Sequence, residues 1–135
     1  MPISCLDHLN LRAPRPLMEA LKAFYCEVLG FSVGRRPAFN SFGYWLYLGD
    51  LAVLHLSEAG EGDLRSTGVR TTFDHMAFAC VDRPAMEAQL LRSGIAFTSG
   101  QVPLTAQVQL FLEDPAGNRI ELNFTGHDPG QGGGV

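Results

Sequence analysis

The chain has 135 residues, is 46% hydrophobic and 18% charged, and carries a formal net charge of −4. This length fits one compact domain or two small fused modules, and the apolar content is enough for a core, which excludes a disordered chain. The basic residues are scattered and only Arg35 and Arg36 stand together, which argues against nucleic acid as partner, and no apolar run reaches the roughly 20 residues of a membrane span.

In chain order, a period-2 pattern predicts a strand near residues 3–12, followed by a Pro-marked helix start. The helix, over about 16–29, carries Leu17, Leu21, Phe24, Tyr25 and Val28 on one face, with Gly30 placed to close it. Strands are predicted around 31–36, 42–48 and 51–57, and the polar, Gly-rich stretch from 59 reads as a linker. The second half repeats the order: a strand at 73–81, a helix at 83–93, and strands near 95–98, 107–113 and 118–124. Asp114-Pro115-Ala116-Gly117-Asn118 reads as the turn of the last hairpin, and the tail 126–135 as frayed.

These halves are self-similar, the signature of an internal repeat. DHLNL at 7–11 matches DHMAF at 74–78, and Arg15-Pro16-Leu17-Met18-Glu19-Ala20 matches Arg83-Pro84-Ala85-Met86-Glu87-Ala88. Gly30 matches Gly94, and Leu54-His55-Leu56 matches Ile120-Glu121-Leu122. The offset shrinks between the helix starts and the closing glycines, which predicts a second helix about one turn shorter. The expected architecture is α+β: βαβββ twice in one domain, with module one at about 3–58, a linker at about 59–70 and module two at about 71–125.

Strand alternation then fixes which side chains share a face. His8 and Asn10 oppose Leu9 and Leu11, while His75 opposes Met76 and Phe78. His55 opposes Leu54 and Leu56, and Glu121 and Asn123 oppose Ile120, Leu122 and Phe124. Each apolar stripe is expected under a helix, leaving one polar residue on the uncovered face. Four metal-capable side chains, His8, His55, His75 and Glu121, thus occupy two pairs of repeat-equivalent positions. Histidine plus carboxylate suits one divalent ion such as Zn, Ni, Fe or Mn. His55 has two further readings, as a group behind the ligands or as a proton carrier. Phe42, Tyr44, Trp45, Tyr47 and Phe111 either line an apolar pocket or belong to the core or a dimer interface, and His127 reads as solvated. Cys5, Cys26 and Cys80 are odd in number and lack CxxC spacing, so no disulfide frame is expected. The start MPISCLDHLN has no signal-peptide pattern, and a cytoplasmic location is expected.

DHLNLRA, AFYCEVLGFSVG, DHMAFAC and FLEDPAGNRIELNF together resemble the glyoxalase/bleomycin-resistance/dioxygenase (vicinal oxygen chelate) superfamily over roughly residues 4–124. The resemblance implies paired βαβββ modules in an open, cup-like mixed sheet with helices outside, commonly as homodimers, some of which build each site from two chains. It implies metal ligands on the first and last strands of each module, at His8, His55, His75 and Glu121. Glyoxalase I members have glutamates at both last-strand positions, so His55 departs from that pattern; Arg12 resembles a glutathione-contacting arginine. Extradiol dioxygenases use two His and one Glu, which His8, His75 and Glu121 would supply. The expected function is a metal-dependent lyase, isomerase or Fe(II) dioxygenase acting on a small substrate with vicinal oxygens. Glu121 and His55 would be catalytic, and Asn10, Arg12, Tyr47, Phe111 and Asn123 would contact substrate. The alternative is a non-catalytic, drug-sequestering binding protein of the same fold.

Overall fold

The computed structural model describes residues 2–125. These residues form two compact units that divide between Ser66 and Thr67, and each is a βαβββ module. The expected α+β architecture and its duplication are therefore present.

In module one, β1 (Leu9–Ala13) leads into α1 (Arg15–Ala23) and a π-helical turn (Phe24–Val28), followed by β2 (Ser32–Gly34), β3 (Gly43–Leu48) and β4 (Leu51–Glu58). The sheet order is β1-β4-β3-β2, with β1 parallel to β4 and the other pairs antiparallel. Proline in the first helical turn is tolerated because the first N–H groups have no intrahelical acceptor. The helix buries Met18, Leu21, Phe24 and Tyr25 above Leu46, Leu54 and Leu56 of the sheet. Met18 joins the face expected from periodicity, whereas Leu17 and Val28 are only half-buried. Burying side chains of this size contributes about 1.5–3 kcal/mol each. Gly30 closes the helix at φ +82°, a conformation that costs glycine little.

Module two repeats the design with β5 (Met76–Cys80), α2 (Arg83–Arg92), β6 (Thr98–Gln101), β7 (Val108–Glu113) and β8 (Arg119–Phe124), in the order β5-β8-β7-β6. Asp82 caps α2 by accepting a hydrogen bond from the Ala85 N–H at 3.1 Å. Its ten residues compare with nine α-helical and five π-helical residues in module one, the expected one-turn difference. Leu90 of this helix is fully buried, as are Leu110, Ile120 and Leu122 of the sheet. In the β7–β8 turn the Asp114 carboxylate accepts from the N–H groups of Ala116 (2.9 Å) and Asn118 (3.0 Å), as the sequence predicts.

Two element boundaries differ from expectation in a way that matters. The first strand of each module starts later: the ladders begin at Leu9↔Leu54 and Met76↔Ile120, so His8 and His75 each stand one residue ahead of a strand. In addition, β6 lies at Thr98–Gln101, registered by Thr98↔Phe111, rather than at 95–98. His127 and the tail lie outside the described residues.

Candidate functional site

In each module an Asp-His dipeptide precedes the first strand, and in each the aspartate fixes the histidine ring. His8 Nδ1 lies 2.6 Å from Asp7 Oδ2, and His75 Nδ1 lies 2.7 Å from Asp74 Oδ2. A carboxylate can only accept, so Nδ1 carries a proton in both rings and Nε2 is the nitrogen turned to other partners. Metal-ligating histidines are commonly oriented this way. Donation from His75, together with the positive charge of Arg119, holds the Asp74 carboxyl below its usual range.

Module two places His75 and Glu121 together. Glu121 lies on β8 and is 6% exposed, with Oε2 at 2.8 Å from His75 Nε2. Its other oxygen, Oε1, accepts a hydrogen bond from Gln109 Nε2 on β7. Phe111, directly across from Glu121 in register, stands edge-on to the His75 ring at 6.5 Å. Two ligands about 2.1 Å from one ion sit ~3 Å apart at right angles, so this nitrogen and oxygen need only a small opening to share a cation. Histidine and carboxylate donors, one buried and the other carboxylate-anchored, fit a borderline divalent metal.

Module one places His8 and His55 together differently. His55 lies on β4 and is 7% exposed, because its ring is sandwiched: His8 stacks on one side (3.8 Å, 14°) and Trp45 on the other (4.1 Å, 11°). Trp45 is its cross-strand partner on β3. His55 Nε2 is 3.0 Å from the Ala52 carbonyl and donates to it, which leaves Nδ1 as the free acceptor. Burial first, and the neighbouring His8 second, push the His55 pKa down. The ring is therefore held neutral.

His8 Nε2 and His55 Nδ1 are the ring nitrogens that Asp7 and Ala52 leave open, and both rings line the module-one cleft. Aromatic and amide neighbours from the adjoining strands bury both His55 and Glu121. Each module by itself offers two of the expected ligands, and among the described residues no group of three or more His, Cys, Asp or Glu is arranged to hold a metal ion.

The expected substrate contacts separate into two sets. Asn10 and Arg12 project from β1 into a cleft of about 320 Å³ in module one that His8, Trp45 and His55 also line. Both are tied to Ser57, whose hydroxyl donates to Asn10 Oδ1 (2.8 Å) and accepts from Arg12 Nε (3.1 Å). Tyr47 does not line that cleft; its hydroxyl donates to the Arg35 carbonyl and its ring covers Gly34, bracing the edge strand. Phe111 lines a separate cleft of about 540 Å³ in module two, and Asn123 is occupied by Gln107. Phe42 lies under the Arg15 guanidinium and Tyr44 donates to Glu19 of α1, so neither belongs to the module-one cleft.

The superfamily model for Glyoxalase/Bleomycin resistance protein/Dioxygenase matches residues 6–122. The chain belongs to this superfamily. A glyoxalase family protein from Enterococcus faecalis is 27% identical, with TM-score 0.67 over 91% of this chain and 99% of that one. A glyoxylase/bleomycin resistance protein/dioxygenase domain from Frankia sp. EAN1pec superposes with TM-score 0.71 at 20% identity, covering 91% and 98%. Lactoylglutathione lyase from Agrobacterium tumefaciens gives TM-score 0.63 at 18% identity, covering 92% and 96%. No curated protein matches. Within the glyoxalase superfamily chain, sequence reasoning missed Asp7, Asp74, Gln109 and the ring partnership of Trp45. The repeated Asp-His dipeptide was the available signal for the two aspartates; the other two depend on cross-strand register.

Proposed function

We propose that this glyoxalase-superfamily protein is a metal-dependent enzyme acting on a small molecule that presents two neighbouring oxygens to one divalent ion. The observation that carries this reading is the Asp-anchored histidine at the head of both modules, paired in module two with buried Glu121. His8, His75 and Glu121 are the proposed ligands, in a protein that is proposed to be a homodimer. A divalent ion held there supplies Lewis-acid polarisation of a carbonyl or enolate oxygen, whether the reaction is a lyase, isomerase or extradiol dioxygenase step.

His55 takes the role of proton carrier rather than fourth ligand. Its Nδ1 is the open acceptor while Ala52 holds Nε2–H in place. Glu121 is the second candidate base, since Gln109 and His75 already orient both of its oxygens. Among the described residues no helix is long and apolar enough to cross a membrane, and a cytoplasmic setting is part of the same proposal.

The test is metal analysis of protein purified without chelator, with His8→Ala and His75→Ala beside it. Bound metal that both variants lose supports the reading; a protein that neither contains nor is stabilised by Fe, Ni, Zn or Mn sinks it. Oxygen uptake on catechols after anaerobic Fe(II) loading then separates the dioxygenase branch from Ni- or Zn-dependent turnover of a hemithioacetal. The His8–His55–Trp45 stack favours a second reading, a binding protein that shelters a planar ligand. Saturable ligand binding by metal-free protein, weakened by Trp45→Ala, selects it.

A further inference from the structure

Arg36 has no place in the metal reading, yet its guanidinium is held by several neighbours. Its guanidinium donates to Ser41, from Nη1 to the backbone carbonyl (3.0 Å) and from Nη2 to the hydroxyl (3.3 Å), and lies 4.8 Å from the Phe39 ring centroid. Gly43 makes room for it: a Cβ there would meet Arg36 Nη2 at 3.1 Å. The side chain lines the same 320 Å³ cleft as His8, Trp45 and His55.

Two features mark this arginine as built for a ligand. Among the described residues it pairs with no carboxylate, whereas Arg12 and Arg15 in the same module are matched by Asp63 and Glu58. Its Nε is also the only buried side-chain nitrogen or oxygen among the described residues without a hydrogen-bond partner. Leaving a donor buried and unpaired is costly. Such a fork matches the oxygens of a carboxylate or phosphonate. Asp7 also lines the cleft, but it is committed to His8 Nδ1.

We propose that Arg36 is an anion-binding residue of the module-one cleft, and that the substrate carries a carboxylate or phosphonate besides the oxygens it presents to the metal. The inference rests on the proposed function only in calling the ligand a substrate; the subsite itself needs no metal. Trp45, the chain's single tryptophan, lines the cleft and reports its occupancy. The experiment titrates the chelator-treated full chain with benzoate, phenylphosphonate and neutral benzyl alcohol, by calorimetry and by Trp45 fluorescence.

At least one anion is expected to bind saturably and perturb Trp45, with benzyl alcohol much weaker. Arg36→Gln should weaken the anion on the order of tenfold to hundredfold. Arg36→Lys keeps the charge but loses the fork and should fall in between, and Arg92→Gln on α2 should match the wild type. The two anions decide between carboxylate and phosphonate. Absence of saturable anion binding, equal affinity for benzyl alcohol, or an Arg36→Lys and Arg36→Gln pair indistinguishable from wild type overturns the proposal. Arg36-dependent anion binding in a protein that takes up no divalent ion would remove the metal reading and leave this subsite standing. Metal uptake without such binding does the reverse.

Discussion

Gln109→Leu is the sharpest test of how Glu121 is held. Glu121 is 6% exposed, and its two oxygens have separate donors: Gln109 Nε2 for Oε1 and His75 Nε2 for Oε2. Leucine has nearly the shape of glutamine, so the substitution deletes the Oε1 donor without opening a large hole. A hydrogen bond to a charged group contributes about 1.5–3 kcal/mol, and an unpaired buried oxygen loses that amount or more. For a chain of this size each kcal/mol moves Tm by about 3–5 °C, so a drop of about 5–15 °C is expected. Urea unfolding at pH 7 in the presence of chelator gives the same quantity as a free energy. The decisive comparison is the cycle with Glu121→Leu. If the two side chains satisfy each other, the double variant is less damaged than the two single losses combined, by about 1 kcal/mol or more, because no carboxylate is left unpaired. Losses that add to within about 0.5 kcal/mol would show that Gln109 does not support Glu121 and would refute the reasoning.

Other outcomes follow from the same geometry. Asp7→Asn and Asp74→Asn each remove the carboxylate that fixes a histidine ring, and each should weaken divalent-metal affinity about 10–100-fold in chelator competition while the far-UV spectrum is kept; unchanged affinity in both removes their positioning role. Burial, then His8, depresses the His55 pKa below 6.5, so the unfolded chain takes up that proton first. The His55 contribution to stability is therefore complete above about pH 6.5 and is lost as pH falls from there toward the depressed folded value, at no more than about 1.4 kcal/mol per pH unit. His55→Gln should remove that slope from denaturation curves, and an unchanged slope assigns it to another group. Gly43→Ala places a Cβ 2.2 Å from the Leu56 carbonyl oxygen, within the β3–β4 pairing, and should cost about 1–3 kcal/mol by thermal or urea unfolding; a neutral result means the strands can separate without penalty.

Much of this architecture was legible in the chain because repetition multiplies weak signals. One strand histidine means little, but His8 and His75 recur after the same aspartate and before the same apolar alternation, and His55 recurs as Glu121 between the same aliphatic neighbours. Parity places side chains on a face, and in both modules it does so correctly. It says nothing about ring rotation, so the stacking of His55 between His8 and Trp45 was not legible from the sequence. Nor does it show what crosses from the neighbouring strand: Gln109 and Trp45 reach their partners across the β7–β8 and β3–β4 hairpins, whose register is set by the turn geometry. Arg36 was visible only as half of a basic pair, since its lack of a counter-ion is a property of three-dimensional packing.

The duplication also explains why the two half-sites now differ. Trp45 and Phe111 are equivalent residues, each directly across from the last-strand polar residue of its module, His55 or Glu121. In module two the carboxylate cannot stack, so it bonds edge-on to His75 and leaves Phe111 standing against that ring instead. In module one an imidazole at the same position has a flat face on both sides, and the indole and His8 close over it. Replacing a carboxylate by a ring in one copy thus converts an ion-pairing position into an aromatic sandwich, without moving a strand.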